Sequence, residues 1–306
     1  MNRLIFASLM LLSPVVVISA EVVPAENSGD FFRIVHKEGK RTPHSFDTAV
    51  VRFTDEEKKV EVDLVAAVHI GDREYYEELN ELFKNYDSVL YELVAEKGTT
   101  ITKKVVEDKK KTNALSSFQV GMGEALALDF QLAHVDYAAK NFVHADLSPD
   151  EFAKRFAERG DLLQMIYRAL VLGVSKGTDG ADADIKTQGR LLGTFFSSNP
   201  TLSLKRLVVK EMVAQMDDSM WIIGGEGSAI ITDRNEAALK VLRKQMTKGD
   251  TSIAIFYGGA HLPEFSKSLK KDFKMTPIQT TWVIAWDLTS DKSARKISEF
   301  VLDFSN

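Results

Sequence analysis

The apolar positions follow two periods, and the switches between them divide the chain. Residues 60–68 form a short run rich in Val, Leu and Ala, of the kind that makes a strand buried on both faces. Gly71 and Asp72 break it, and Asp72 is placed to cap a helix whose apolar residues Tyr75 or Tyr76, Leu79 and Leu82 or Phe83 recur at helical spacing. A second apolar run covers residues 88–94. Strand, helix and strand in that order predict a right-handed crossover that lays the two strands parallel. The same order returns late in the chain. Residues 251–257 read as a buried strand, the small residues Gly258, Gly259 and Ala260 follow, and Pro263 opens a helix to about Leu269.

Upstream, residues 31–35 and 48–53 read as short strands flanking a loop with His44, and Asp55, Glu56 and Glu57 make the turn into the next strand. His36 and His44 lie in polar surroundings and are assigned to the surface. From about residue 99 to 219 the helical period dominates, in residues 114–133, 152–156, 162–172, 191–196 and 204–216. One start is explicit: Ser148, Pro149, Asp150 and Glu151 combine an N-cap, a proline in the first turn and the glutamate of a capping box. Residues 177–184 read as a loop whose Asp residues lack the ligand spacing of an EF-hand. Residues 221–223 are apolar again, residues 224–227 are glycine-rich, and Asp233 is placed to cap a helix with Ala237, Val241, Leu242 and Met246 as its core face. Residues 282–286 predict a last strand and residues 297–304 a closing helix. The expected fold is therefore α/β, a central mostly parallel or mixed sheet built from two strand-His-helix units, with a large all-helical insert between them.

The 306 residues, 44% hydrophobic and 27% charged, suit one large domain with a sizeable core. Residues 1–20 are set apart from it: Arg3 gives a positive start, residues 4–18 are apolar apart from Ser and Pro14, and Ser19 and Ala20 offer a cleavage site. They read as a signal peptide, which leaves residues 21–306 as a single domain, exported to a periplasm or secreted, with no stable membrane anchor after cleavage. Removing Arg3 would take the net charge from −5 to −6. That acidic balance argues against nucleic-acid binding, and Lys109, Lys110 and Lys111 read as a solvated helix face. The chain has no cysteine, which excludes thiolate chemistry and disulfide staples.

Candidate chemistry gathers at the strand ends. His69 ends the first buried run, Glu92 sits late in the second among Val89, Leu90, Tyr91, Leu93 and Val94, and His261 follows the third. Ligands in open α/β sheets bind outside the carboxyl ends of the strands, so these three residues can converge on one point. A carboxylate among apolar residues needs a cation, a metal or hydrogen bonds to compensate it. The glycines beside His261 let backbone approach a bound group closely. His134, Asp136, His144 and Asp146 form a further polar set; it reads as a strand and loop packing the insert on the sheet, with a place near the site as the alternative. The glycines of residues 224–227 match neither a dinucleotide fingerprint nor a phosphate loop, and Ser228 is not in a nucleophile elbow.

The pair VAAVHIGDREYYEEL and FYGGAHLPEF, with YELV and ITDRNEAAL between them, resembles the TraB/GumN/TIKI superfamily, whose members carry two Gly-x-x-His motifs, a Glu and an Arg. The central LDFQLAHVDYAAKNFVHADLSPDEF is similar to the middle of bacterial members. The resemblance puts His69 and His261 at the motif histidines, Glu92 at the acidic residue and Arg234 at the arginine. Gly258 matches the second motif glycine; Ala66 stands where the first has glycine. The resemblance implies metal-dependent proteolysis as in TIKI members, ester hydrolysis as in relatives that open a macrolide, or haem binding as in others.

The function expected from these residues is metal-assisted hydrolysis of a peptide or small ester, with His69, Glu92 and His261 holding a divalent ion (manganese, cobalt or zinc) that activates water. Arg234 would stabilise a developing oxyanion. Two alternatives stand beside it. One is metal-free hydrolysis, in which a histidine activates water, Glu92 orients it and Arg234 binds the oxyanion. The other is an exported protein that binds haem or another ligand without turnover.

Overall fold

The computed structural model describes residues 31–37, 42–57, 59–99, 126–165, 167, 168, 197–214 and 227–289. The expected signal peptide, the lysine run, the loop of residues 177–184, the apolar segment 221–223 and the closing helix lie outside the described residues. So does much of the expected insert.

Strand β1 (Phe32–His36) pairs antiparallel with β2 (Pro43–Thr54), and β2 pairs antiparallel with β3 (Glu61–Ala67). A short β4 (Ile70–Gly71) leads into helix α1 (Arg73–Phe83), which returns the chain to β5 (Ser88–Tyr91). After β6 (Asp129–Phe130) and the single turn α2 (Gln131–His134), β7 (Phe142–His144) enters the sheet; helices α3 (Pro149–Arg159) and α4 (Pro200–Ala214) follow. A π-helical turn at Ala229–Asp233 runs into α5 (Arg234–Lys248), then come β8 (Ser252–Gly258), a 3-10 turn at Gly259–His261, α6 (Leu262–Asp272) and β9 (Thr276–Asp287). The main sheet has the order β1-β2-β3-β8-β5-β7, with β9 also on β2.

The half of the sheet that matters for the site, β3-β8-β5-β7, is parallel throughout. β3, β8 and β5 are buried on both faces because helices cover both, while β7 at the edge is half-buried. Tyr75, Tyr76, Leu79 and Phe83 of α1 pack with Val65, Ala67, Val89 and Phe256 on one side. Ala238 and Leu242 of α5, with Leu262, Phe265 and Leu269 of α6, pack with Val62, Leu64, Ala66 and Ile255 on the other. This is the expected α/β class with a mixed sheet.

Several details differ from the sequence reading. β3 and β5 are parallel but not adjacent, since β8 slides between them with register Leu64↔Ile255 and Leu90↔Ile255. The second strand stops at Tyr91, so Glu92 stands just past its end. Between residues 99 and 219 the described residues include strands as well as helices: β7 joins the main sheet, as the strand-and-loop reading of that segment has it, and β6 pairs with β4. The capping box at Ser148 is present in full. Asp72 occupies an N-cap position without capping; its carboxylate instead accepts from buried Lys205 of α4 at 3.0 Å and from the Asp287 N–H at 2.6 Å. Asp233 does not cap either. Ser228 caps the π turn; α5 buries Asn235, Ala238, Leu242 and Gln245, with Val241 and Met246 of the expected face partly buried against the same core. His36 is exposed, while His44 is half-buried within β2.

Candidate active site

Four parallel strands deliver four polar residues to one edge of the sheet. His69 follows β3, His261 follows β8, Glu92 follows β5 and Asp146 follows β7. Each strand end is locked. The Tyr75 and Tyr76 hydroxyls donate to the Ala66 and Val68 carbonyls at 2.8 and 3.1 Å, fixing the exit of β3. The Glu92 N–H donates to the Phe256 carbonyl, and the Ala145 N–H to that of Tyr91. Across this edge lies the first turn of α5, which supplies Arg234 and Asn235.

Arg234 is the hub. Its Nη2 donates to Glu92 Oε1 at 2.7 Å and to Asp146 Oδ2 at 2.6 Å, while Nε donates to Asp146 Oδ1 at 3.0 Å. Burial works against this guanidinium's charge, but Glu92 and Asp146 hold it firmly protonated. Glu92 Oε2 accepts the Gly258 N–H at 2.6 Å. Burial alone would raise the Glu92 carboxyl, yet Arg234, the two histidines and that N–H bring it down to about 2. Gly258 permits the contact, because a Cβ there would stand 3.1 Å from Glu92 Oε2.

His261 is buried, with its ring edge-on to Tyr257 at 5.2 Å between centroids. Asn235 Nδ2 donates to the His261 carbonyl at 3.1 Å, which turns Asn235 Oδ1 to the ring nitrogen Nδ1 at 2.7 Å. A carbonyl oxygen can only accept, so Nδ1 carries the proton and Nε2 presents a lone pair. That Nε2 lies 3.7 Å from Glu92 Oε1. Burial pushes the imidazole down to about 4, with Arg234 and His69 adding to the effect and Glu92 and Asp146 opposing it.

His69 differs in being exposed. Its Nδ1 is 3.1 Å from Gln131 Oε1, its carbonyl accepts the Gln131 N–H, and Gln131 Nε2 donates to the Tyr137 hydroxyl. Glu92, Arg234 and His261 are brought within contact range of one another, and His69 stands on the exposed side of the same strand edge.

As a ligand trio for a divalent ion, His69, Glu92 and His261 fit poorly. Both Glu92 oxygens are engaged, one of them by a guanidinium that would repel a cation at the same atom. Among the described residues, no group of three or more His, Cys, Asp or Glu is placed to hold a metal. Nε and Nη2 of Arg234 are committed to carboxylates, so the oxyanion role expected of this residue would fall to Nη1.

Sequence reasoning missed Asn235 and Gln131 as members of this group, and gave Asp146 a place near the site only as the alternative to a packing role. Asp146 had a signal: like His69 and Glu92 it follows a short apolar run. Asn235 had a weaker one, as the neighbour of Arg234. No family model, curated protein or solved structure matches the chain. Among the described residues no helix is long and apolar enough to cross a membrane.

Proposed function

We propose that the chain is an exported hydrolase of the TraB/GumN/TIKI kind, acting on a peptide or small ester without needing a resident metal. The observation that carries this reading is the pair of acceptors at the centre of the site, His261 Nε2 and Glu92 Oε1, 3.7 Å apart. That separation is too long for a direct hydrogen bond, and a water seated beside the pair, not between the two atoms, can reach both. A water placed there must donate one hydrogen to each acceptor, which turns its lone pairs outward towards an incoming carbonyl carbon. As the carbon–oxygen bond forms, Nε2 takes the proton and the resulting imidazolium is stabilised by the Glu92 carboxylate beside it. Collapse of the tetrahedral intermediate then breaks the bond to the leaving group, which receives that proton.

Glu92 itself is a poor base. Its carboxyl, held at about 2, remains ionised, and its role is to orient water and stabilise charge. Arg234 keeps Glu92 in place and is kept in place by Asp146. His69, at the exposed side of the group, has Nε2 left for the substrate.

A metal-assisted route retains one supporting feature: both imidazoles have Nδ1 on an amide oxygen, as metal-bound histidines commonly do. Hydrolysis of p-nitrophenyl acetate and of a peptide mixture, measured with and without chelator, separates the routes. Turnover that survives chelator and disappears in His261→Ala supports the proposal. Turnover abolished by chelator and restored by one added ion replaces it with the metal route. A visible absorption band in the isolated protein, with no turnover, would favour haem binding. Export is tested by intact mass of the mature chain, expected to begin at or near Glu21.

A further inference from the structure

We propose that Asn235 is a positioning residue, which holds His261 in the tautomer that turns the Nε2 lone pair towards Glu92. This deepens the reading of His261 as the base and rests on it.

The placement of Asn235 has no other use in the described structure. It sits on the buried face of α5 with Ala238 and Leu242, where an apolar residue would serve packing, and asparagine is a poor helix former. A buried amide is costly unless its polar atoms are satisfied. Both of its hydrogen bonds go to one residue, 26 positions away in the chain: Nδ2 to the His261 carbonyl and Oδ1 to the ring. The two bonds lock each other. Exchanging the amide oxygen and nitrogen would set oxygen against the His261 carbonyl, so the amide has one orientation and the ring one neutral tautomer.

The uncharged amide also matters. An aspartate at this position would accept from Nδ1 equally well, but it would add a third carboxylate beside Glu92 and Asp146 and favour imidazolium. Asparagine fixes direction and leaves the ring neutral. The π turn before α5 is what puts Arg234 and Asn235 together at the strand edge, one holding the carboxylate and the other the imidazole; such turns recur at functional sites.

The test uses the mature full chain with nitrogen-15 histidine, with the His261 signals assigned by their loss in His261→Gln. At neutral pH, two-bond proton–nitrogen correlations should show His261 as the Nδ1–H tautomer in the unmodified protein. Asn235→Asp should raise the His261 titration midpoint by about one pH unit or more, and should move the acid limb of kcat/KM on p-nitrophenyl acetate with it. An Nε2–H tautomer in the unmodified protein overturns the proposal without any variant, as does a folded Asn235→Asp whose His261 titration stays put. If no form of the protein turns over ester, the hydrolase reading fails on its own; the tautomer and titration still decide the place of Asn235.

Discussion

The two strand-His-helix units begin alike and end differently. Each brings a buried strand to the same edge of the sheet and follows it with a histidine whose Nδ1 meets a side-chain amide. In the late unit the chain closes over the ring: Gly258 lets Glu92 sit against the backbone, Gly259 lies so near the Phe32 ring that a Cβ would stand 1.9 Å from Cζ, and His261 is buried. In the early unit Ala66 and Ala67 take up core space on opposite faces of the sheet, and His69 emerges exposed beyond them. Ala66 belongs to the core cluster that also holds Leu64 and Tyr257, whereas Gly258 stands directly against Glu92. Two similar motifs thus build one buried histidine and one exposed histidine. What sets them apart is which residues have been given no side chain.

The largest effect should separate the two histidines directly. His261→Ala removes the proton acceptor and is expected to lower kcat by about 10²–10⁴-fold, the usual range for a general base. His69→Ala should act mainly on KM, because an exposed ring that meets substrate loses binding first. Steady-state kinetics on one ester decide between these outcomes. Equal losses, with a double variant no worse than either single, would mean that the two rings act as a unit, as they would on a shared ion.

Acid should find the buried unit next. Below its ordinary value of 6.5 the unfolded imidazole takes up a proton, while folded His261, held at about 4, does not. Its contribution to stability is therefore full above pH 6.5 and is lost between 6.5 and 4, by roughly 3 kcal/mol at 1.36 kcal/mol per unit. Glu92, lowered from 4.5 to about 2, loses its contribution over the following stretch. Urea unfolding across this range should show the first decline in the unmodified protein and a flatter curve in His261→Gln. The acid limb of kcat/KM should also lie near 4, and a limb near 6.5 would take the base role away from His261.

Much of this was open to sequence reading, and the gaps have physical causes. Buried strands announce themselves by composition, so β3, β5 and β8 and their terminal residues could be found. Their lateral order could not, because a parallel crossover of any length leaves room for a third strand. Gln131 lies in a stretch whose helical period masked the two-residue β6, and strands that short carry no period of their own; Asp146 follows a strand that was read, but nothing in its spacing chose the site over packing. Asn235 and Gln245 are buried polar residues on α5, and a search for an apolar helical repeat passes over them.

Glycine exchange tests the contrast at the motif positions. Gly258→Ala sets a methyl 3.1 Å from Glu92 Oε2, which accepts the Gly258 N–H while Arg234 holds Oε1, so Glu92 must give way. Activity should fall about tenfold, as a displacement of this kind misaligns the nucleophile. Ala66→Gly, which restores the expected motif in the early unit, should leave activity unchanged and cost about 0.5–1 kcal/mol through added backbone entropy in a strand. Improved turnover in Ala66→Gly would show that the early unit also needs close backbone approach.

The smallest effect comes from loosening the early unit alone. Gln131 links His69 to buried Tyr137, and Gln131→Met keeps its length while removing both contacts. The phenol loses a partner in a buried place, which costs about 1 kcal/mol or somewhat more. His69, already exposed, gains freedom, so KM should rise a few-fold with kcat nearly constant. The decisive reading is the other histidine. His261 is anchored by Asn235 on α5 and shares no hydrogen bond with Gln131, so its titration and tautomer in Gln131→Met should match those of the unmodified protein. A shifted His261 titration would mean that disorder at the exposed ring reaches the buried one, and the division between base and accessible partner would have to be abandoned.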